Sequence, residues 1–202
     1  MKLYDSIGPN PHVVRMFLAE KGLEIPTVEI DLLAGENREA PHLARNPGGQ
    51  TPVLELDEGS FLSEITAICE YIEERHPTPA LIGETPEARA QTRMWTRRID
   101  NRVAEHLANG FRFAEGFDLF KDRVTCRPEA APGLKQLAQD GTRWFEANFV
   151  GPWICGDRFT LADILLFAIL DFGASVGQPL DPSLTRLGEW MERMKARPSH
   201  AS

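Results

Sequence analysis

Cysteine is scarce in this 202-residue chain, and the three that occur, Cys69, Cys126 and Cys155, are odd in number, far apart and without a CxxC spacing. That usage points to neither a disulfide framework nor a zinc site, and no metal is expected. Positive charge is also short: 22 Lys and Arg face 30 Asp and Glu, for a formal net charge of -8. Nucleic acid and anionic membrane surfaces, which are held through Lys and Arg, are therefore poor partners. Long apolar runs are missing as well. The longest uncharged one, Ile164 to Leu170, falls far short of the roughly 18 residues a membrane span needs. Met1 leads almost directly into a strand-like Lys2-Leu3-Tyr4, which leaves no room for a signal peptide, so a reducing cytoplasm is the expected compartment. What is present, 42% hydrophobic and 26% charged residues, is the composition of a globular protein able to bury a core.

The order of elements changes partway along the chain. Strand Lys2 to Tyr4, helix Pro11 to Lys21, strand Thr27 to Asp31, a short helical stretch Arg38 to Leu43, a hairpin and a helix ending at Arg75 form a βαβ then αββα order. This is an α/β, thioredoxin-like layout with a helix-covered mixed sheet. His76-Pro77-Thr78-Pro79 and Gly83-Glu84-Thr85-Pro86 form a proline-rich connector, so the expected domains are residues 1–78 and 86–202. Beyond it strand signals vanish and an all-helical bundle is expected. Thr85-Pro86 caps a long helix, Glu87 to about Phe113, and Glu129 to Phe149 reads as another. Thr160-Leu161-Ala162-Asp163 is a capping pattern opening a very apolar helix, and a last helix spans about Leu184 to Lys195.

Residues 46–72 carry the chemistry. Thr51-Pro52 opens a short apolar strand, Val53-Leu54, and Asp57-Glu58-Gly59 turns it back toward Phe61-Leu62. A proline there sits at a strand start or edge, and if its bond is cis, Thr51 presents its N–H and C=O to an extended peptide as an added strand. Ile65, Ile68, Cys69 and Ile72 then form one buried helix face, with Ser63 as expected N-cap. The free N–H groups of that helix start attract a carboxylate, while Glu64 accepts from an ammonium group. A γ-glutamyl residue carries both, so glutathione is the expected peptide.

On these motifs the chain resembles the cytosolic glutathione transferases along nearly its whole length. Asn46 to Leu54 is similar to that family's loop and cis-proline before its third strand, and Glu64-Ile65-Thr66-Ala67-Ile68 to its γ-glutamyl-binding helix start. The resemblance implies that Thr51, followed by Pro52, pairs with the cysteinyl backbone. It implies also that Glu64 and the Ile65 N–H hold the γ-glutamyl end, and that Gln50 and Asn37 face the glycyl carboxylate. The family usually has Ser or Asp where this chain has Ile65, so one side-chain hydrogen bond is missing, worth roughly 0.5–1.5 kcal/mol. Glutathione would be a co-substrate with no further cofactor, and the molecule a homodimer.

Catalysis in this family needs the glutathione thiolate, the form that attacks an electrophile. The family's usual activating serine falls on Gly8 and its cysteine on Asn10, while Tyr4 lies inside the first strand. Ser6 is the nearest hydroxyl. Gly8-Pro9-Asn10-Pro11 resembles a fungal and bacterial branch that relies on the first helix N-terminus and a water, with Asn10 as N-cap and Pro11 at the first helical position. Ser6 and Asn10 are thus the expected thiolate donors. That branch positions its water with a histidine of the long helix; here the helix offers His106, while Phe113 falls near where that histidine is expected, and a lone His on an apolar face is more often structural. Trp95, Phe111, Phe113 and Phe117 are candidate walls of an apolar pocket, or core. The expected activity is addition of the thiolate to small hydrophobic electrophiles. The alternative is a non-catalytic ligand-binding or scaffold protein of the same fold.

Overall fold

The computed structural model describes all 202 residues and divides into two compact units, residues 1–81 with 201–202, and residues 82–200. In the first, β1 (Lys2–Asp5) leads through α1 (Pro9–Lys21) to β2 (Thr27–Glu29). A 3₁₀ turn, Glu36–Arg38, and α2 (Ala40–Arg45) precede β3 (Val53–Glu55), β4 (Phe61–Leu62) and α3 (Ile65–Arg75). The sheet order is β2-β1-β3-β4. β1 runs parallel to β2, with Tyr4 opposite Val28, and antiparallel to β3, with Tyr4 opposite Val53. Only the pair joined by a helical crossover is parallel, as a parallel connection requires. The expected α/β fold class of this half and the helical fold of the second are both observed.

Burial explains how the helices of this unit lie. Val13, Val14, Met16 and Phe17 of α1 and Ile68, Cys69 and Ile72 of α3 are each at most 1% exposed, and the two helices pack on one another. α1 stops at Gly22, whose left-handed backbone (φ 65°) lets its N–H reach back to the Ala19 carbonyl, a conformation open to glycine at no steric cost. Lys21, the last residue of α1, is buried, ion-paired with Glu73 of α3, and donates to the carbonyls of His76 and Pro79. One buried cation thereby ties the end of the first helix to the end of the third.

In the second unit the expected single long helix is interrupted. α4 (Pro86–Ile99) passes into a π-helical turn, Asp100–Ala104, before α5 (Glu105–Arg112), and a short α6 (Phe117–Phe120) follows. The next helix, α7 (Ala131–Asn148), packs against the π-helical turn. A Cβ on Gly141 would stand 2.1 Å from the Arg102 carbonyl oxygen, so the backbones of α7 and the π turn touch at a position that only glycine can fill. α8 (Leu161–Ser175) is the core of the unit, buried without a break from Leu161 to Leu170. Its capping box is present: the Asp163 carboxylate accepts from the Thr160 and Ile154 N–H groups at 2.9 and 2.8 Å, and from Trp190 Nε1 of α9 (Thr185–Lys195) at 3.0 Å. Glu146 of α7 accepts from the N–H groups of Arg186 and Leu187 and so caps α9 from a distance in sequence.

Candidate functional site

The polar residues of the first unit gather on the loop before β3. Asn46 folds it: its Oδ1 accepts from the Gly48 N–H and its Nδ2 donates to the Gln50 carbonyl, both at 3.0 Å. His42 Nε2 lies 3.0 Å from the same carbonyl, Arg38 Nη1 donates to Gly48 O at 3.3 Å, and Asn37 Nδ2 donates to Gly49 O at 2.6 Å. Gly49 has φ 60° and a Cβ there would sit 2.8 Å from Arg38 Nη1, so glycine alone fits. Three successive carbonyls are thus held from the side of α2 and the 3₁₀ turn. Gln50 remains exposed. Asn37 does not: it is 4% exposed with its amide committed to Gly49. The expectation that Asn37 faces a ligand carboxylate is corrected accordingly: its side chain is buried behind the loop, where one of its two amide N–H groups holds the Gly49 carbonyl.

The Thr51-Pro52 peptide bond is cis. Thr51 is buried yet lies outside the ladder, whose register on β1 begins with Val53 opposite Tyr4. Eleven residues beyond Val53 the chain enters α3 in an unusual way. Glu64, and not Ser63, is the N-cap, which corrects the expected cap. Its φ is 72°, the only positive value at a non-glycine residue in the chain, and such strain is held at functional positions by its surroundings. No side chain caps this helix, so the N–H groups of Ile65, Thr66 and Ala67 have no intrahelical partner. Glu64 itself is exposed.

The turn from β1 into α1 holds the other expected residues, and here the structure departs from the sequence reading. Ser6 is 6% exposed and donates its hydroxyl proton to the Ile30 carbonyl at 2.7 Å. Having one proton, it ties β1 to the strand beside it and cannot at once donate to a thiolate. Asn10 is not the N-cap. That position belongs to Gly8 (φ 116°), so Pro9, Asn10 and Pro11 are the first three helical residues. Two prolines remove two of the donors a helix start normally offers, and the His12 N–H bonds Gly8 O at 3.2 Å. Beyond the cap residue Gly8, the Asn10 N–H is the one peptide donor left among the first three helical residues, on an exposed residue. Tyr4 donates to Glu55 Oε2 on β3 at 2.7 Å, with the Arg45 guanidinium 4.1 Å over its ring. That bond, and then Lys2, hold the Glu55 carboxyl below its ordinary range.

Sequence reasoning missed the clamp beneath this turn. Arg15 Nη1 on α1 donates to both Asp5 carboxylate oxygens, at 3.2 and 2.9 Å, and to Ser6 O at 3.1 Å. A basic residue ten positions after an acidic one carries no local signal, and the pair depends on the crossover that joins β1 through α1 to β2. None of the cysteines lies in these elements' exposed turns: Cys69 is buried in α3, where burial pushes its thiol far up, and burial likewise raises Cys155. No cluster of three or more His, Cys, Asp or Glu side chains suits a metal ion. In the second unit His106 is half-buried on α5, and Phe111 meets Phe120 and Phe172 edge-on at 6.1 and 5.2 Å. No helix is long and apolar enough to cross a membrane.

Comparison with known proteins agrees with this arrangement. Residues 1–74 match the family model for the glutathione S-transferase N-terminal domain, and residues 127–198 that for the C-terminal domain. Glutathione S-transferase 2 of Saccharomyces cerevisiae is 35% identical over 98% of this chain and 87% of its own length. Maleylacetoacetate isomerase of Pseudomonas aeruginosa is 43% identical over 94% and 90%. The crystal structure of Gtt2 from Saccharomyces cerevisiae superposes with a TM-score of 0.93 at 33% identity, covering 100% of this chain and 99% of that one. Two matched domain models, relatives aligned over nearly the full length, and a thioredoxin-like half whose polar groups converge on the strand-three proline place the chain in the glutathione S-transferase family, enzymes that take glutathione as co-substrate.

Proposed function

We propose that Glu64 and the bare start of α3 hold the γ-glutamyl end of glutathione, Thr51 before Pro52 pairs with its cysteinyl backbone, and Gln50 meets its glycyl end. The observation that carries this reading is Glu64: an exposed residue of strained, positive φ at the N-cap of a helix start that no side chain caps. Ile65 contributes through its N–H, since its side chain has no donor. Asn10, through the lone N–H of the first three helical residues, faces the sulfur. A helix N-terminus supplies about 0.3–1 kcal/mol, up to ~2 in favourable geometry, against about 1.4 kcal/mol per pKa unit. One donor plus the dipole therefore lowers the thiol from about 8.5 by roughly one unit.

The thiolate then adds to a small hydrophobic electrophile. Phe111, Phe113 and Phe117, half-buried in the second unit, remain the candidate apolar wall, whereas Trp95 is packed on Trp144 and Phe145 in the core of that unit and is withdrawn from it. Domains of residues 1–78 and 86–202, a homodimeric state and a cytoplasmic setting complete the proposal; the dimer rests on family membership, and the compartment on three unpaired thiols. A second reading is favoured by the 43% identity to an isomerase. The same thiolate, adding to an activated cis double bond and leaving after rotation, returns glutathione and yields the trans isomer. The test is turnover of purified protein with glutathione and a chloronitrobenzene, run beside cis–trans isomerisation of a maleyl ketone, with glutathione binding measured for Glu64→Ala. Loss of glutathione binding in the variant is expected; unchanged binding rules out the proposed site.

A further inference from the structure

Asp5 and Arg15 lie under the turn on which the proposed thiolate chemistry depends, and they are the buried and half-buried members of one ion pair, at 2.9 Å with 11% and 31% of their side chains exposed. The guanidinium also holds Ser6 O. Ser6 is two residues from Gly8, the α1 N-cap, a reach of at most about 7 Å. The strand side is equally tied, since Asp5 O accepts from the Ile30 N–H at 2.8 Å and Ser6 donates to Ile30 O. Charged or titratable groups near the pair by register and sequence are Glu29, the register partner of Asp5 on β2, Asp31 just beyond it, and His12 in the first turn of α1; α3, packed on α1, carries Glu70, Glu73, Glu74 and Arg75. Glu29 is exposed and therefore screened.

We infer that Asp5 and Arg15 form a balanced charge pair that tunes the thiolate held at the α1 N-terminus without touching glutathione. This rests on the reading that the α1 turn stabilises that thiolate. The balance is the point: an unpaired Asp5 carboxylate at this place opposes a thiolate, and an unpaired Arg15 guanidinium favours one. An uncompensated unit charge at roughly 10 Å, in an effective dielectric of about 20–40, moves the thiol by about 0.5–1 pKa unit. The two single neutralisations thus move it in opposite directions. A pair that only braces the turn gives a different pattern, because loosening the turn from either side weakens the same donor.

The experiment is thiolate absorbance of enzyme-bound glutathione against pH, together with the pH profile of kcat/KM, for the wild type, Arg15→Met, Asp5→Asn, the double variant and Arg15→Lys. The expected result is an upward shift of about 0.5–1 unit in Arg15→Met, a downward shift of similar size in Asp5→Asn, and near wild-type values in the double variant and Arg15→Lys. Both shifts should shrink as salt rises. Shifts of the same sign, or lower activity with an unmoved profile, overturn the tuning role while leaving the thiolate site standing. If wild-type protein binds glutathione with its thiol at the free value, the proposed thiolate site falls and the tuning role falls with it. Should Arg15→Met not fold, the downward shift in Asp5→Asn and the unmoved Arg15→Lys still decide the matter.

Discussion

A single peptide N–H separates the two ways Asn10 can act. Its side chain is exposed and caps nothing, while its backbone is flanked by prolines that have no N–H to offer. Asn10→Ala keeps the donor and is expected to reduce kcat/KM less than tenfold. Asn10→Pro removes it, and a loss approaching the 10²–10³-fold typical of a dominant electrostatic donor is expected. Glutathione turnover at matched folded fraction checks both. Ser6, the nearest hydroxyl, donates its proton to the Ile30 carbonyl. Glu64 carries the opposite kind of test. Its φ of 72° is costly for any residue with a Cβ and free for glycine. Glu64→Gly is therefore expected to raise the Tm of the ligand-free protein, by an amount corresponding to roughly 0.5–1 kcal/mol, while losing glutathione binding. Calorimetry with and without glutathione reads both effects, and a variant that binds normally contradicts the role given to the carboxylate.

Among the elements, α8 depends most on one side chain. Asp163 is fully buried and caps its own helix, holds the Ile154 N–H and accepts from Trp190. Truncation to Ala strands three donors in the core, and each buried unpaired group costs about 1–3 kcal/mol. The expected loss is at least ~3 kcal/mol, above the ~0.5–2 of a lost cap alone. Burial pushes the Asp163 carboxyl up to about 6, against the pull of the hydrogen bonds it accepts. The folded chain thus keeps this proton at pH values where the unfolded chain, near 3.9, has released it. That contribution is fully present below pH ~4 and is lost as pH rises through about 6. Urea melts from pH 4 to 7 are expected to show wild-type stability falling relative to Asp163→Ala across that window. A difference that grows with pH would show that the hydrogen bonds, and not desolvation, govern the group.

For the whole molecule the simplest expectation is linkage: a ligand held only by the folded state stabilises it by RT ln(1 + [L]/Kd), roughly 2.7 kcal/mol at a hundredfold excess. Glutathione should raise the Tm of the wild type and leave that of Glu64→Ala nearly unmoved, as thermal melts at several glutathione concentrations would show. How much of this was legible beforehand follows from the range of each interaction. Periodicity and capping are local, so the alternation of strands and helices, the proline-rich connector, the Thr160–Asp163 box and the hairpin after Pro52 could be read from neighbouring residues alone. So could the glutathione-like pattern of residues 46–72, whose parts are contiguous. The sequence could not say which polar atoms were already taken. Asn37 lost its outward role to Gly49 O, and Ser6 to Ile30 O, through partners 12 and 24 residues away. The close packing of α7 on the π turn at Asp100–Ala104 needed the bare backbone of Gly141 on another helix, and the Asp5–Arg15 pair needed the crossover that joins β1 through α1 to β2. Which residues form each element was set by short-range propensity and pattern. Which groups remain free to meet a ligand was decided only when the chain closed on itself, because a hydrogen-bond donor is available only after every tertiary acceptor has been placed.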